Sequence, residues 1–125
     1  MIQGFEQQTA PLSEYEQKTL LPVLVRGLRV KVGADRVVAG SAIVRGMKQY
    51  GFKIDGPRLR KIINHIRTND LIPGLVSNGQ GYYIATSADE IEDCIESIQG
   101  RIASQQEIVK ALQRQKRNFS NTESQ

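Results

Sequence analysis

The chain has 125 residues, a formal net charge of +4 and a sequence pI near 9.4. That length holds one domain with a real core plus an appendage, and is too short for two well-packed domains. A single cysteine, Cys94, excludes an intrachain disulfide and every multi-cysteine zinc site.

The start of the chain has neither the basic nor the apolar region of a secretory signal. The longest apolar run, near Leu20–Val25, falls far short of the roughly 20 residues that span a bilayer. These features predict a soluble cytoplasmic protein with no membrane contact. The charge is unevenly placed: residues 1–86 carry 12 Lys or Arg against 6 Asp or Glu, whereas residues 87–125 carry 5 against 7. A basic domain joined to a mildly acidic appendage points to a polyanionic partner for the former.

Residues 1–11 are polar, Gln-rich and without period, and read as a flexible arm. Ser13 and Glu16 form a capping box that opens a first helix running to about Lys31, with Leu21, Leu24, Val25 and Leu28 inward. Pro22 lies inside it, removes a donor and predicts a kink near Lys18. Gly33–Asp35 ends this segment, and Arg36–Ala39 is long enough only for one β-bridge or a tiny strand. Ser41 is placed to cap a second helix through Tyr50, with Ile43, Val44, Met47 and Tyr50 inward and Gly51 as a left-handed terminator.

After the connector Phe52–Ile54, Asp55 and Pro57 mark a third helix through Thr68. Leu59, Ile62, Ile63 and Ile66 fall at i, i+3, i+4 and i+7 and form its core stripe. The opposite face carries Lys61, Asn64 and Thr68, flanked by Arg60 and His65, with Arg58 and Arg67 at the borders. Two short helices joined by about four residues, the second basic, have the layout of a helix-turn-helix with its recognition helix in the major groove. Next, Leu71 and Ile72 are expected to close the core. Leu75–Ser77 and Gly81–Ile84 flank Asn78-Gly79, a dipeptide favoured in two-residue hairpin turns. Helix, small strand, helix, helix and hairpin, in that order, predict a mostly helical α+β fold, a winged helix-turn-helix over residues 12–86.

Ser87 and Glu90 form a second capping box and open a long C-terminal helix over residues 87–117. Ile91, Ile95, Ile98, Ile102, Gln105, Val109 and Leu112 alternate spacings of four and three, a heptad seam that predicts a coiled coil and a homodimer. β-Branched residues at a favour two parallel strands, Ile at d pulls the other way, and Gln105 costs stability while restricting register. Residues 118–125 are expected to be a disordered tail.

There is no phosphate-binding glycine loop after a strand and no cluster of metal ligands, so neither an enzyme, a cofactor, a metal nor a small-molecule substrate is indicated. The acidic group from Asp89 to Glu96 reads as capping and solubility. The residues expected at a nucleic-acid interface are Arg58, Arg60, Lys61, Asn64, His65 and Arg67 on the third helix, with Asn78 and Gln80 at the wing tip.

Four segments, Glu14–Pro22, Leu59–Arg67, Leu71–Leu75 and Gly81–Ile84, give the chain from Leu12 to about Arg117 a resemblance to small winged-helix proteins encoded by bacteriophages and prophages. The resemblance implies a double-stranded DNA-binding protein acting as a transcription regulator or replication accessory factor. One departure is the wing tip, Ser77–Gly81, which has no Lys or Arg. That bare tip keeps a second reading open, an adaptor that binds a host or phage protein instead of DNA.

Overall fold

Ser13 and Glu16 close a reciprocal capping box: the Ser13 N–H donates to Glu16 Oε1 at 2.8 Å and the Glu16 N–H to Ser13 Oγ at 3.2 Å. The structure, a computed structural model, describes residues 10–123, so most of the arm expected over residues 1–11 lies outside the described residues. From the capping box the chain enters a π-helical turn, Glu16–Leu20, that leads into α1 (Leu21–Leu28). The Leu21 N–H reaches back to the Glu16 carbonyl, five residues away. Pro22 explains this: its missing N–H and its ring are incompatible with a regular bond to Lys18, and one widened turn absorbs the conflict. The kink expected near Lys18 is thus a π turn around it. The helix stops at Leu28, short of the expected Lys31.

Helix α2 (Gly40–Gln49) starts one residue before Ser41, with Ala39 at its cap and no side-chain capping bond, so the expected Ser41 cap does not form. Its end is as expected. Gly51 has φ +87°, its N–H bonds the Lys48 carbonyl, and the Phe52 N–H bonds that of Met47, a Schellman closure. Met47 is buried, and Ile43 and Val44 pack partly against the core. Tyr50, expected inward, is 84% exposed because it sits at the C-cap, where the helical register has ended.

Asp55 caps α3 (Gly56–Thr68) by accepting the Arg58 N–H at 2.9 Å. Leu59, Ile62, Ile63 and Ile66 are buried as the spacing requires, and meet Leu20, Leu24 and Leu28 of the first helical segment, with Met47, Ile54, Ile72 and Leu75, in one core. Asp70, at φ +55°, closes α3, with the Leu71 N–H on the Ile66 carbonyl. Ile72 is buried; Leu71, at the turn, stays partly exposed.

Helix α4 (Ala88–Glu123) is continuous and 36 residues long. It passes through the region expected to fray: residues 118–123 are helical, continuing without a proline from the Gln-, Arg-, Lys- and Leu-rich turns of residues 105–117. Its start is capped by Ser87 Oγ, which accepts the Glu90 N–H, while Glu90 Oε1 accepts both the N–H and the hydroxyl of Thr86. The chain divides into two compact units, the first ending at Ile91 and the second holding the rest of α4. Among the described residues, no helix is long and apolar enough to cross a membrane.

The hairpin pairs β1 (Leu75–Asn78) with β2 (Gly81–Ile84), Leu75 opposite Ile84 and Asn78 opposite Gly81. The loop residues are therefore Gly79 and Gln80, one step beyond the expected Asn78-Gly79. Asn78 causes the shift by folding its side chain over the turn, where Oδ1 accepts the N–H groups of Gln80 at 2.8 Å and Gly81 at 3.1 Å. On its other edge β2 takes two isolated bridges, Val32 parallel to Ile84 and Val38 antiparallel to Tyr82. The tiny strand expected at Arg36–Ala39 is the second of these.

Gly81 makes that close pairing possible. It has φ +147°, and a Cβ there would overlap the Val38 carbonyl and lie 2.8 Å from Ala39 Cα. Gly81→Ala should therefore cost roughly 2 kcal/mol or more, a strained φ and a backbone collision combined. A lower melting temperature with early exchange of the Val38 and Tyr82 amides, which bond each other's carbonyls, is the expected outcome. Native-state hydrogen exchange checks it.

Candidate nucleic-acid interface

Four cations lie on α3, and three of them are turned to internal tasks. Lys61 is 6% exposed, and its Nζ lies 2.7 Å from Glu16 Oε1. Arg58 Nε lies 2.8 Å from Glu16 Oε2, while its Nη1 donates to the Lys53 carbonyl and its guanidinium covers the Tyr15 ring at 5.2 Å. Arg67 donates to the Leu75 carbonyl and to Ser77 Oγ, with Tyr82 beneath it at 5.8 Å, and so holds the hairpin against α3. Arg60 alone of the four is exposed.

The expected DNA contact at Lys61 is therefore corrected: its charge is spent on Glu16. Periodicity placed Lys61 opposite the core stripe, and on α3 alone that is right. The group that buries it comes from 45 residues earlier in the chain, which the pattern of α3 cannot report. A signal did exist, because Glu16 continues the four-residue spacing of Leu20, Leu24 and Leu28 and so faces inward, where a carboxylate needs a cation.

Glu16 is 2% exposed. Burial alone would push its carboxyl up, but bonds from Lys61, from the Ser13 N–H and from Arg58 outweigh it and hold the group at about 2, against an ordinary 4.5.

The other expected contacts divide. Asn64 is exposed on α3 one turn beyond Arg60. His65 is half-buried, with its ring nitrogen 3.4 Å from the Asn69 amide. Asn78 is exposed but its Oδ1 is engaged in the turn, and Gln80 projects beside it at the tip.

What the expected set lacked is on α2. Arg45, Lys48 and Gln49 are exposed at i, i+3 and i+4 and share an open groove of about 730 Å³ with Gly56 and Arg60. Its floor is apolar, made of Val44, Leu59 and Tyr82, and no carboxylate lines it. The carboxylate nearest in sequence, Asp55, is turned onto the Arg58 N–H. The start of α2 packs on the same floor, since a Cβ at Gly40 would make ordinary contact with the Tyr82 ring at 3.4 Å and with Leu59 at 3.5 Å. The spacing of Arg45 and Lys48 was visible in the sequence, but only the crossing of α2 and α3 sets those charges beside Arg60. Three cations over an apolar floor, without a counter-charge in the lining, suit a polyanion. Among the described residues no group of three His, Cys, Asp or Glu side chains could hold a metal ion.

Because Glu16 titrates near 2 in the folded protein and near 4.5 when unfolded, its contribution is complete above pH 4.5 and is lost as the pH falls toward 2. That loss should reach roughly 3 kcal/mol, read as a falling denaturation midpoint. Glu16→Gln should remove about 3 to 5 kcal/mol at neutral pH by leaving Lys61 buried without its counter-charge. Adding Lys61→Met should recover much of it, and urea unfolding of the single and double variants checks both.

No protein-family model, curated protein or solved structure matches the chain.

Proposed function

We propose that the protein binds double-stranded DNA through the α2–α3 groove, with Arg45, Lys48 and Arg60 on phosphates and Asn64 reading a base edge from the exposed face of α3. The observation that carries this reading is the groove itself, where three exposed cations stand with no carboxylate in the lining. The overall charge supports it, since the basic excess belongs to this unit and not to α4. The helix-turn-helix layout supports the major groove as the place where α3 docks. Arg58 and Arg67 serve by holding α3 and the hairpin in place. His65 lies at the edge of the face, and Asn78 and Gln80 give the tip a weak polar contact. The resemblance to phage and prophage winged-helix proteins favours a regulator of transcription or a replication accessory factor in a bacterial cytoplasm, acting without catalysis.

A second reading, a protein-binding adaptor, draws on a different observation. The wing tip is uncharged, and an apolar groove of about 310 Å³ runs between α1 and α2, bordered by Val23, Ile43, Met47, Phe52 and the exposed Tyr50.

Titration of duplex DNA at several salt concentrations separates the two. Each phosphate contact contributes about 0.9 to the slope of log affinity against log salt. Arg45→Ala with Lys48→Ala should therefore flatten the slope by about two, and Arg60→Ala by about one more. Asn64→Ala should cost roughly 1 to 3 kcal/mol at a preferred site and less elsewhere. Lys61→Met, lacking any outward charge to lose, should leave the slope unchanged. Binding that is absent, or indifferent to the α2 variants, favours the adaptor.

A further inference from the structure

Helix α4 carries an apolar stripe left uncovered. Ile91, Ile95, Ile102, Val109 and Leu112 are between 39% and 58% exposed, and Gln105 lies among them. Ile108 beside the seam and Phe119 one heptad beyond Leu112 extend the stripe. A helix of this length spans about 54 Å, and in water such helices persist by burying one face.

The charges on α4 are segregated along its length. Residues 88–100 hold Asp89, Glu90, Glu92, Asp93 and Glu96 and no cation; residues 101–123 hold Arg101, Lys110, Arg114, Lys116 and Arg117 against Glu107 and Glu123. In a parallel pair the five carboxylates of one copy would stand beside the same five of the other. In an antiparallel pair each acidic end meets a basic end, and the helix dipoles also oppose favourably. An antiparallel seam matches as well: a positions face d positions, so Ile95 meets Leu112 and Val109 meets Ile98 of a second copy, with Gln105 beside Ile102. The flanking positions Gln99, Gln106 and Gln113 are neutral and set no like charges against each other.

We propose that α4 is a self-association surface whose occupant is α4 of a second copy, running antiparallel. This stands apart from the DNA reading, and its test contains no DNA.

Sedimentation equilibrium of the full chain should give a dimer. The sign test is the triple variant Glu92→Gln, Asp93→Asn, Glu96→Gln, which leaves Asp89 and the Glu90 cap in place. Antiparallel pairing predicts roughly three- to ten-fold weaker association at low salt, fading as salt rises. Parallel pairing predicts tighter association, because repulsion is relieved. A second measurement avoids any change near the start of α4. Asn121→Cys in a Cys94→Ser background carries a spin label outside the seam. The two labels should lie roughly 40 to 60 Å apart in the antiparallel dimer, whereas side-by-side parallel helices would hold them within about 20 Å. A monomer at tens of micromolar, tighter association in the triple variant, or a short label distance would each overturn the proposal.

Discussion

A single buried carboxylate governs how the first unit is put together. Glu16 sits in the widened turn ahead of α1 and accepts from the Ser13 N–H, Lys61 and Arg58, which joins the opening of the first helical segment to the middle of α3. A charge withdrawn from water is tolerated only when its partners restore what hydration supplied, and here both carboxylate oxygens are occupied. Two cations on one face of α3, Arg58 and Lys61, meet the two oxygens of Glu16 where the segments touch. Tyr15 reinforces the joint from outside, through its hydroxyl on the Lys53 N–H and its ring under Arg58.

The joint decides which charges remain for a partner. Arg58 and Lys61 are committed to Glu16, and Arg67 to the backbone and side chain of β1, so the central and late turns of α3 offer Asn64 and Thr68 but no free cation. The positive surface moves to the N-terminal end of α3 and across to α2. The hairpin, held by Arg67 and by the Gly81 approach to Val38, is consequently a brace for α3 with a neutral tip. DNA recognition built this way would rest on the two helices rather than on the wing.

Local signals were legible to the extent that their causes are local. The Ser13–Glu16 box, the Asp55 cap, the Gly51 terminator and the four-residue core stripe of α3 each depend on residues within two turns, and each is found where the spacing puts it. The order of elements was readable for the same reason. The errors arise where a distant or competing group intervenes. The helical period of α3 turns Lys61 to solvent because it cannot register Glu16, remote in sequence. The hairpin loop moved one residue because the Asn78 side chain supplied turn bonds that the dipeptide preference does not count. The α2 half of the groove is not legible in the sequence because adjacency across two helices is a tertiary fact, even though Arg45 and Lys48 share a face.

On the proposed reading, the two units respond to salt in the same direction, and their effects compound. Counterion release makes each groove bind less tightly as salt rises, while screening also removes the attraction between the acidic and basic ends of paired α4 helices. A dimer holding two groove contacts gains from the effective concentration of the second, an advantage that disappears when the dimer dissociates. The slope of affinity against salt for a two-site DNA should thus steepen beyond the sum of its phosphate contacts near the concentration where the dimer comes apart, and match that sum for a single site. The apolar seam itself is insensitive to such screening, so protein concentration should restore the two-site advantage at high salt without restoring the single-site affinity.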